Sequence, residues 1–168
     1  MKERDFIEVT VHGLTMDSNN SSPVILLKDQ EGKKVMPIWI GIFEANAIAM
    51  NLGNIEPPRP MTHDLAKSLL EVAEVSVDSV AVTDLKDNIF YAAIYLKRGE
   101  REFTVDSRPS DAIALAVRMG CPIRVNEELF AQSAIELSSI DEKQDVGDDG
   151  WTELLKKLDP KDFSKYKM

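Results

Sequence analysis

The sequence lacks the features of secreted and membrane-spanning proteins. Its one cysteine in 168 residues, Cys121, cannot form a disulfide within the chain, which fits a reducing compartment. No apolar run approaches the roughly 20 residues that a membrane span needs. Residues 1–5 are too charged for the start of a signal peptide. We therefore expect a cytoplasmic protein with no membrane partner.

Positive charge is also scarce. The chain has 20 Lys and Arg residues against 29 Asp and Glu residues, a net charge of −9. Clustered Lys and Arg supply most non-specific affinity for nucleic acid. An acidic protein therefore needs a local basic site, a groove between subunits or a carboxylate-bound metal ion to bind it. The sequence also lacks a Gly-rich phosphate loop, a Cys/His zinc spacing and a nucleophile elbow.

The hydrophobic pattern predicts one α+β domain with a mixed sheet. Apolar and polar residues alternate over residues 7–11, which is typical of a half-buried strand. Close turns separate three later apolar segments and predict an antiparallel meander; the segments lie at residues 80–82, 89–97 and 102–105. Pro37 predicts a sheet edge or a bulge, because proline cannot donate to a strand ladder.

Short, largely buried helices are expected to pack against this sheet. They lie at residues 41–52, at residues 62–72 with Thr62 as the cap, at 109–119 and at 127–134. The folded domain is predicted to span residues 1–135. Residues 136–168 are interpreted as an acidic linker and a short C-terminal tail, in which Trp151 begins a segment that could dock as a helix.

The start of the third helix is the first candidate site. Pro109 suits the first helical position, and Asp111 complements the helix dipole, so Pro109 and Ser110 are explained by the fold alone. Capping explains neither Asp106 nor Arg108. Two carboxylates and a guanidinium at one strand-to-helix junction indicate a metal and phosphate site, with a structural Asp–Arg ion pair as the alternative.

Similar chemistry recurs at the start of the second helix and on the first. His63 next to Asp64 is a candidate base or metal ligand, although a surface histidine at a helix start is often idle. Glu44 is the one carboxylate on an otherwise apolar helix. A carboxylate in an apolar setting must be paired, metal-bound or protonated. The alternative is that Glu44 faces the loop at Arg59 and forms an ion pair there.

Three motifs together resemble the bifunctional nuclease (BFN) domain family. They are Met36-Pro37-Ile38-Trp39-Ile40-Gly41 followed by Glu44-Ala45, then Arg59-Pro60-Met61-Thr62-His63-Asp64-Leu65, then Asp106-Ser107-Arg108-Pro109-Ser110-Asp111-Ala112-Ile113-Ala114-Leu115-Ala116. The ending Leu158-Asp159-Pro160-Lys161-Asp162-Phe163-Ser164-Lys165-Tyr166 is also similar to the tail of bacterial members. The resemblance implies a small cytoplasmic α+β domain that self-associates, and a nuclease acting on DNA and RNA.

The sequence leaves two functional hypotheses. In the first, the protein is a metal-assisted nuclease in which a divalent cation, such as Mg²⁺, offsets the negative charge of the substrate. Asp106 and Asp111 would bind the cation. Phosphate would be bound by Arg59, Arg108 and Ser110. The attacking water would be oriented or deprotonated by His63 or Glu44, with Asp64 beside them. In the second, the protein is a non-catalytic oligomeric binding or regulatory module, most simply a homodimer.

Overall fold

A mixed sheet with its helices on one face forms the core of the protein. The structure is a computed structural model that describes residues 5–17, 19, 21–139 and 145–146. Its strands are β1 (Phe6–Met16), β2 (Pro23–Asp29), β3 (Lys34–Trp39), β4 (Ser76–Lys86), β5 (Ile89–Arg98), β6 (Arg101–Ser107), β7 (Ile123–Asn126), β8 (Ile135–Glu136) and β9 (Asp145–Val146). Its helices are α1 (Ile42–Leu52), α2 (Thr62–Val72), α3 (Pro109–Met119) and α4 (Glu127–Ser133).

The strand order is β6-β5-β4-β7-β1-β2-β3-β8, and β9 pairs with β1. The β4–β7 pair is parallel. The other pairs are antiparallel, including the predicted meander β4–β5–β6. Both the α+β class and the mixed sheet are therefore confirmed. The prediction for Pro37 also holds, since β8 pairs only with Lys34 and Val35 and leaves Pro37 on an open edge.

Strand alternation divides the sheet into a helix face and a second face. On the helix face, Val80, Val82 and Ala92 pack with the apolar side of α3. On the second face, Val24, Leu26 and Val35 form a smaller cluster beneath Leu137. The four described α-helices all lie on the helix face. The 3₁₀ turn Leu137–Ser139 packs beside the β2–β3 cluster of the second face, so the β4–β7 part of that face carries no described helix.

The helices agree with the sequence in part. α1 and α3 are largely buried as expected, whereas α2 buries no residue completely. Leu65, Leu69 and Val72 on α2 are 53%, 61% and 85% exposed. The cap assignment was wrong: Met61 is the cap residue of α2, and its backbone N–H donates to Asp64 Oδ2 at 2.9 Å.

The C-terminal part of the sequence is described only in part. Residues 135–136 still pair with β3, and residues 145–146 pair with β1. The division at residue 135 stays a prediction, and the segment from Trp151 onward lies outside the described residues. Among the described helices, none is long and apolar enough to cross a membrane.

Candidate active site

The starts of α1, α2 and α3 meet at one chain of charged side chains. Asp111 Oδ1 lies 3.0 Å from His63 Nε2, and its Oδ2 accepts a hydrogen bond from Arg108 Nε at 2.7 Å. Arg108 Nη1 lies 3.0 Å from Glu44 Oε1. The structure therefore joins Glu44, Arg108, Asp111 and His63 in that order, and brings the two predicted helix starts together.

Local sequence explains how α3 presents its part of this chain. Pro109 occupies the first helical position, as predicted, and Arg108 is the cap residue. Arg108 and Asp111 are three positions apart, a spacing that places side chains on one side of a helix start. Gly120 ends the helix with a φ of 67°, a left-handed conformation that glycine adopts without steric cost.

Gly41 allows Glu44 to take its place at the start of α1. The Glu44 carboxylate folds back over Gly41, and a Cβ at residue 41 would collide with it. The Glu44 side chain is 19% exposed and the Arg108 side chain is 64% exposed. The partner of Glu44 is thus Arg108. The interpretation from sequence that Glu44 pairs with Arg59 was wrong.

The electrostatic balance keeps Asp111 ionised. Burial by itself raises the pKa of this carboxyl group, but hydrogen bonds from Arg108 and His63 outweigh it, and the pKa is lowered below its ordinary value. The Asp111 side chain is 33% exposed and that of His63 is 16% exposed. The charged carboxylate of Asp111 therefore contacts the imidazole of His63, and both side chains keep a small part of their surface exposed to solvent.

A second carboxylate fixes the start of α2. Asp64 Oδ1 accepts a hydrogen bond from Arg118 Nε at 2.6 Å, while Arg118 Nη1 and Nη2 each donate to a backbone carbonyl at 2.9 Å, those of Ala114 and Ala47. The Arg118 side chain is 6% exposed. Burial raises the pKa of Asp64, but the hydrogen bonds from Arg118 and Met61 outweigh it and lower the pKa.

A cavity of about 300 Å³ adjoins this second carboxylate. Asp64, Ser68 and Arg118 line it together with Met50 of α1 and Pro60 of the preceding loop. Asp64 and His63 are consecutive, but neighbouring residues of a helix point about 100° apart, and His63 is not among the described residues that line the cavity. The cavity therefore adjoins Asp64 and Arg118 and is not part of the His63–Asp111 pair.

The structure does not bring every predicted residue to this site. Asp106 is exposed on β6 and pairs in register with Ala93, which places it on the second face of the sheet, away from Asp111. Arg59 is exposed in the loop before α2 and makes no ion pair with a described residue. Ser110 is buried at 6% exposure, and its role in substrate binding stays a prediction.

The donor set does not fit the predicted shared cation. Both Asp111 oxygens already accept hydrogen bonds, and Asp106 lies on the opposite face of the sheet. Within the described residues, no group of three or more His, Cys, Asp or Glu side chains is placed to hold a metal ion. A divalent cation thus has no assembled carboxylate site among the residues that the structure describes.

Sequence comparison places this set of residues in a known family. A model of the bifunctional nuclease domain matches residues 25–138. This span contains Glu44, His63, Arg108 and Asp111. The chain belongs to the bifunctional nuclease domain family.

The relatives that this chain resembles differ in length. An uncharacterized protein of Mycobacterium tuberculosis is 41% identical over 128 residues, 76% of either chain. Bifunctional nuclease 1 of Oryza sativa subsp. indica is 31% identical over 117 residues, 67% of this chain and 35% of the plant protein. Bifunctional nuclease 2 of Arabidopsis thaliana is 31% identical over 109 residues, which are 62% of this chain and 33% of the plant protein. The matches span about a third of these plant proteins.

Arg118 was not predicted from the sequence as part of the site. The available signal was its charge, because it is a single charged residue near the end of an apolar, alanine-rich helix. Arg118 follows Asp111 by seven positions and therefore lies on the same side of α3. Its three partners, Asp64, Ala47 and Ala114, come from three helices. Two of these partners are distant in sequence, so only the fold identifies them.

Proposed function

We propose that this protein is a nuclease that hydrolyses phosphodiester bonds of DNA, RNA or both at the His63–Asp111 site. The observation that carries the proposal is the 3.0 Å contact between His63 Nε2 and Asp111 Oδ1. Membership in the bifunctional nuclease domain family supports the reaction class. The pair has the geometry of a base and the carboxylate that orients it.

His63 is the proposed general base. When Nε2 carries the ring proton it donates to Asp111, and Nδ1 keeps a free lone pair. Nδ1 makes no hydrogen bond to any described residue. In the proposed step, water gives a proton to Nδ1 as its oxygen attacks phosphorus. The P–O bond to the leaving nucleotide then breaks, and the leaving oxygen takes a proton from solvent.

Arg108 is the proposed phosphate ligand. Two of its five N–H donors are used by Asp111 and Glu44. The remaining donors lie on a side chain that is 64% exposed and can bind phosphate oxygens. Glu44 then acts as a positioning residue, because it fixes the guanidinium while the free edge faces solvent. The same pairing offsets part of the positive charge, which limits affinity for a polyanion.

A divalent cation such as Mg²⁺ is the proposed cofactor. The carboxylates in the described part of the chain do not assemble around such an ion. A cation that binds with the nucleic acid would take ligands from the phosphate itself, as Mg²⁺ commonly does. Chelation and metal replacement therefore form one arm of the test.

A non-catalytic binding module is the second candidate, and the satisfied charges favour it. His63, Asp111, Arg108 and Glu44 pair with one another, as expected for ion pairs that only join helices. Apolar side chains are exposed near these starts, with Phe43 at 73% and Leu65 at 53%. Such patches mark contacts with proteins, most simply a second copy of this chain.

The deciding experiment measures cleavage of labelled single-stranded DNA and RNA by the full chain, with Mg²⁺ and with a chelator. His63→Gln is expected to lower the cleavage rate by about 10²-fold or more, the usual contribution of a general base. His12→Gln, on β1 outside the site, is the matched control and should cleave like the original protein.

The results separate the two candidates. Equal cleavage by all three preparations assigns the activity to another site or to a contaminant, because a contaminant does not respond to His63. No cleavage by the unaltered protein under any metal condition, with the fold intact, supports the binding module.

A further inference from the structure

A second cavity lies on the part of the second sheet face that carries no described helix. Its volume is about 460 Å³, within the range of roughly 300–1,000 Å³ that is typical of small-molecule sites. We call it the sheet groove; its central lining residues are Phe6, Ser79, Ala81, Tyr95, Thr104 and Arg124. The His63–Asp111 site lies in the helix layer on the opposite face, so the two are separate.

Strand register explains why a groove forms there. Cross-strand partners share a face of the sheet, and Ala81 pairs with Arg124 while Ser79 pairs with Tyr95. Ser79 and Ala81 are each 1% exposed and form a floor of small side chains. Tyr95 and Arg124 are larger and rise beside that floor. Small residues between large ones leave a space that the described chain does not fill.

Two polar groups of the sheet groove have no partner among the described residues. Arg124 makes no ion pair or side-chain hydrogen bond there, although Glu8 is its neighbour in register on β1. The hydroxyl of the buried Ser79 also makes no hydrogen bond to a described residue. A guanidinium and a hydroxyl that make no such bond are donors that a ligand carrying oxygen atoms can use.

The charges of the groove determine the kind of anion. Lys97 is already neutralised, with Nζ 2.7 Å from Asp78 Oδ1 and 3.7 Å from Glu102 Oε1. Arg124 is therefore the one uncommitted cation among the described lining residues. Glu8 lies beside it on the same face, so a polyanion would meet carboxylates. One guanidinium without a partner matches a single negative charge.

Aromatic side chains supply the remaining surface. Tyr95 and Phe6 both line the groove and are partly exposed, and flat rings bind well against such side chains. We propose that the sheet groove binds a small aromatic molecule that carries one negative charge. Its anionic group lies on Arg124, its ring lies against Tyr95, and Ser79 donates a hydrogen bond to one of its oxygens.

Calorimetric titration of the full chain with four probes tests this proposal. Two probes combine a ring with one negative charge, 3′,5′-cyclic AMP and 4-hydroxybenzoate. Adenosine has a ring without the charge, and inorganic phosphate has charge without a ring. At least one of the first two is expected to bind with a Kd of about 1 mM or tighter, and the other two about tenfold more weakly or not at all.

Variants locate the binding. Arg124→Met and Tyr95→Leu should each weaken the bound probe by about tenfold or more. Arg98→Met, at the exposed end of β5, is the matched control and should not change it. His63→Gln should also leave binding unchanged, because the proposal does not depend on nuclease activity. Thermal midpoints of all variants identify any that fail to fold.

Three results would overturn the proposal. The first is that neither charged ring binds. The second is that phosphate alone binds as tightly, which would mean an anion site without aromatic recognition. The third is that both groove variants fold and bind like the original protein, which would place the probe elsewhere.

Discussion

Arg118 Nε lies 2.6 Å from Asp64 Oδ1, and this contact ties the start of α2 to the end of α3. The same guanidinium donates to the Ala47 carbonyl of α1, so one side chain connects three helices. His63 directly precedes Asp64 in sequence. The position of the proposed base against Asp111 therefore depends on an arginine that does not contact it.

Replacing Arg118 is expected to destabilise the fold strongly. Arg118→Met removes a guanidinium that donates to Asp64 and to two carbonyls. Asp64 is 29% exposed and keeps the hydrogen bond from the Met61 N–H, so we expect a loss of about 1.5–3 kcal/mol. Urea unfolding measures the loss of free energy. Lys86→Met is the control, since Lys86 is 65% exposed and pairs with Asp84 at 2.6 Å; a loss below about 1 kcal/mol is expected. Similar losses for both variants would contradict a special role for Arg118.

Acid is expected to weaken the fold through Asp64 and Asp111. Each has a pKa lowered from the ordinary value of 3.8, so the unfolded chain binds protons first as the pH falls. Their contribution is present above that value and is lost as pH falls through the folded pKa. Unfolding free energies at neutral and acidic pH measure the loss. Asp64→Asn/Asp111→Asn should show a smaller pH dependence, and an unchanged dependence would assign acid sensitivity to other carboxylates.

Two asparagine variants separate the shared-metal hypothesis from the histidine–aspartate pair. Asp111→Asn weakens the partner of both His63 and Arg108 and should lower cleavage by about 10²–10⁴-fold. Asp106→Asn should leave cleavage nearly unchanged, because Asp106 lies on the second face of the sheet. If Asp106→Asn abolishes cleavage while the thermal midpoint stays constant, the metal role assigned to Asp106 from sequence is restored.

Self-association is expected through the exposed apolar side of α2. Leu69 and Val72 are 61% and 85% exposed, and large exposed apolar patches usually mark an interface. Sedimentation should give a mass of two or more chains at micromolar concentration, and Leu69→Glu/Val72→Glu should shift it towards one. Leu85→Glu, at a residue that is 37% exposed on β4, is the control. A one-chain mass for the unaltered protein would exclude a stable dimer.

Local signals in the sequence were sufficient for much of the fold. Proline fixes φ and lacks a donor, so Pro109 marked the start of α3 and Pro37 an open strand edge. Gly120 marked the end of α3 because it adopts a positive φ of 67°. These properties belong to single residues and do not depend on distant contacts. The antiparallel meander followed from turn spacing in the same way.

The face of the sheet on which Asp106 lies was not predictable from the sequence. Alternation along the strand shows only that Asp106 and Val105 point to opposite faces. The packing of α3 decides which of these two residues points toward the helices. Similarly, Arg59 was the one cation that the sequence suggested for Glu44, and the packing of α1 against α3 brought Arg108 to it instead. The importance of Arg118 was hidden for the same reason.

The sequence by itself determined the class of the fold, the ends of its main helices and the chemical types at the helix starts, because propensity and capping act over a few residues. The tertiary structure decided which charges meet. Ion pairs extend over only a few ångströms, so residues 48 positions apart, such as His63 and Asp111, become partners only when α2 and α3 pack together.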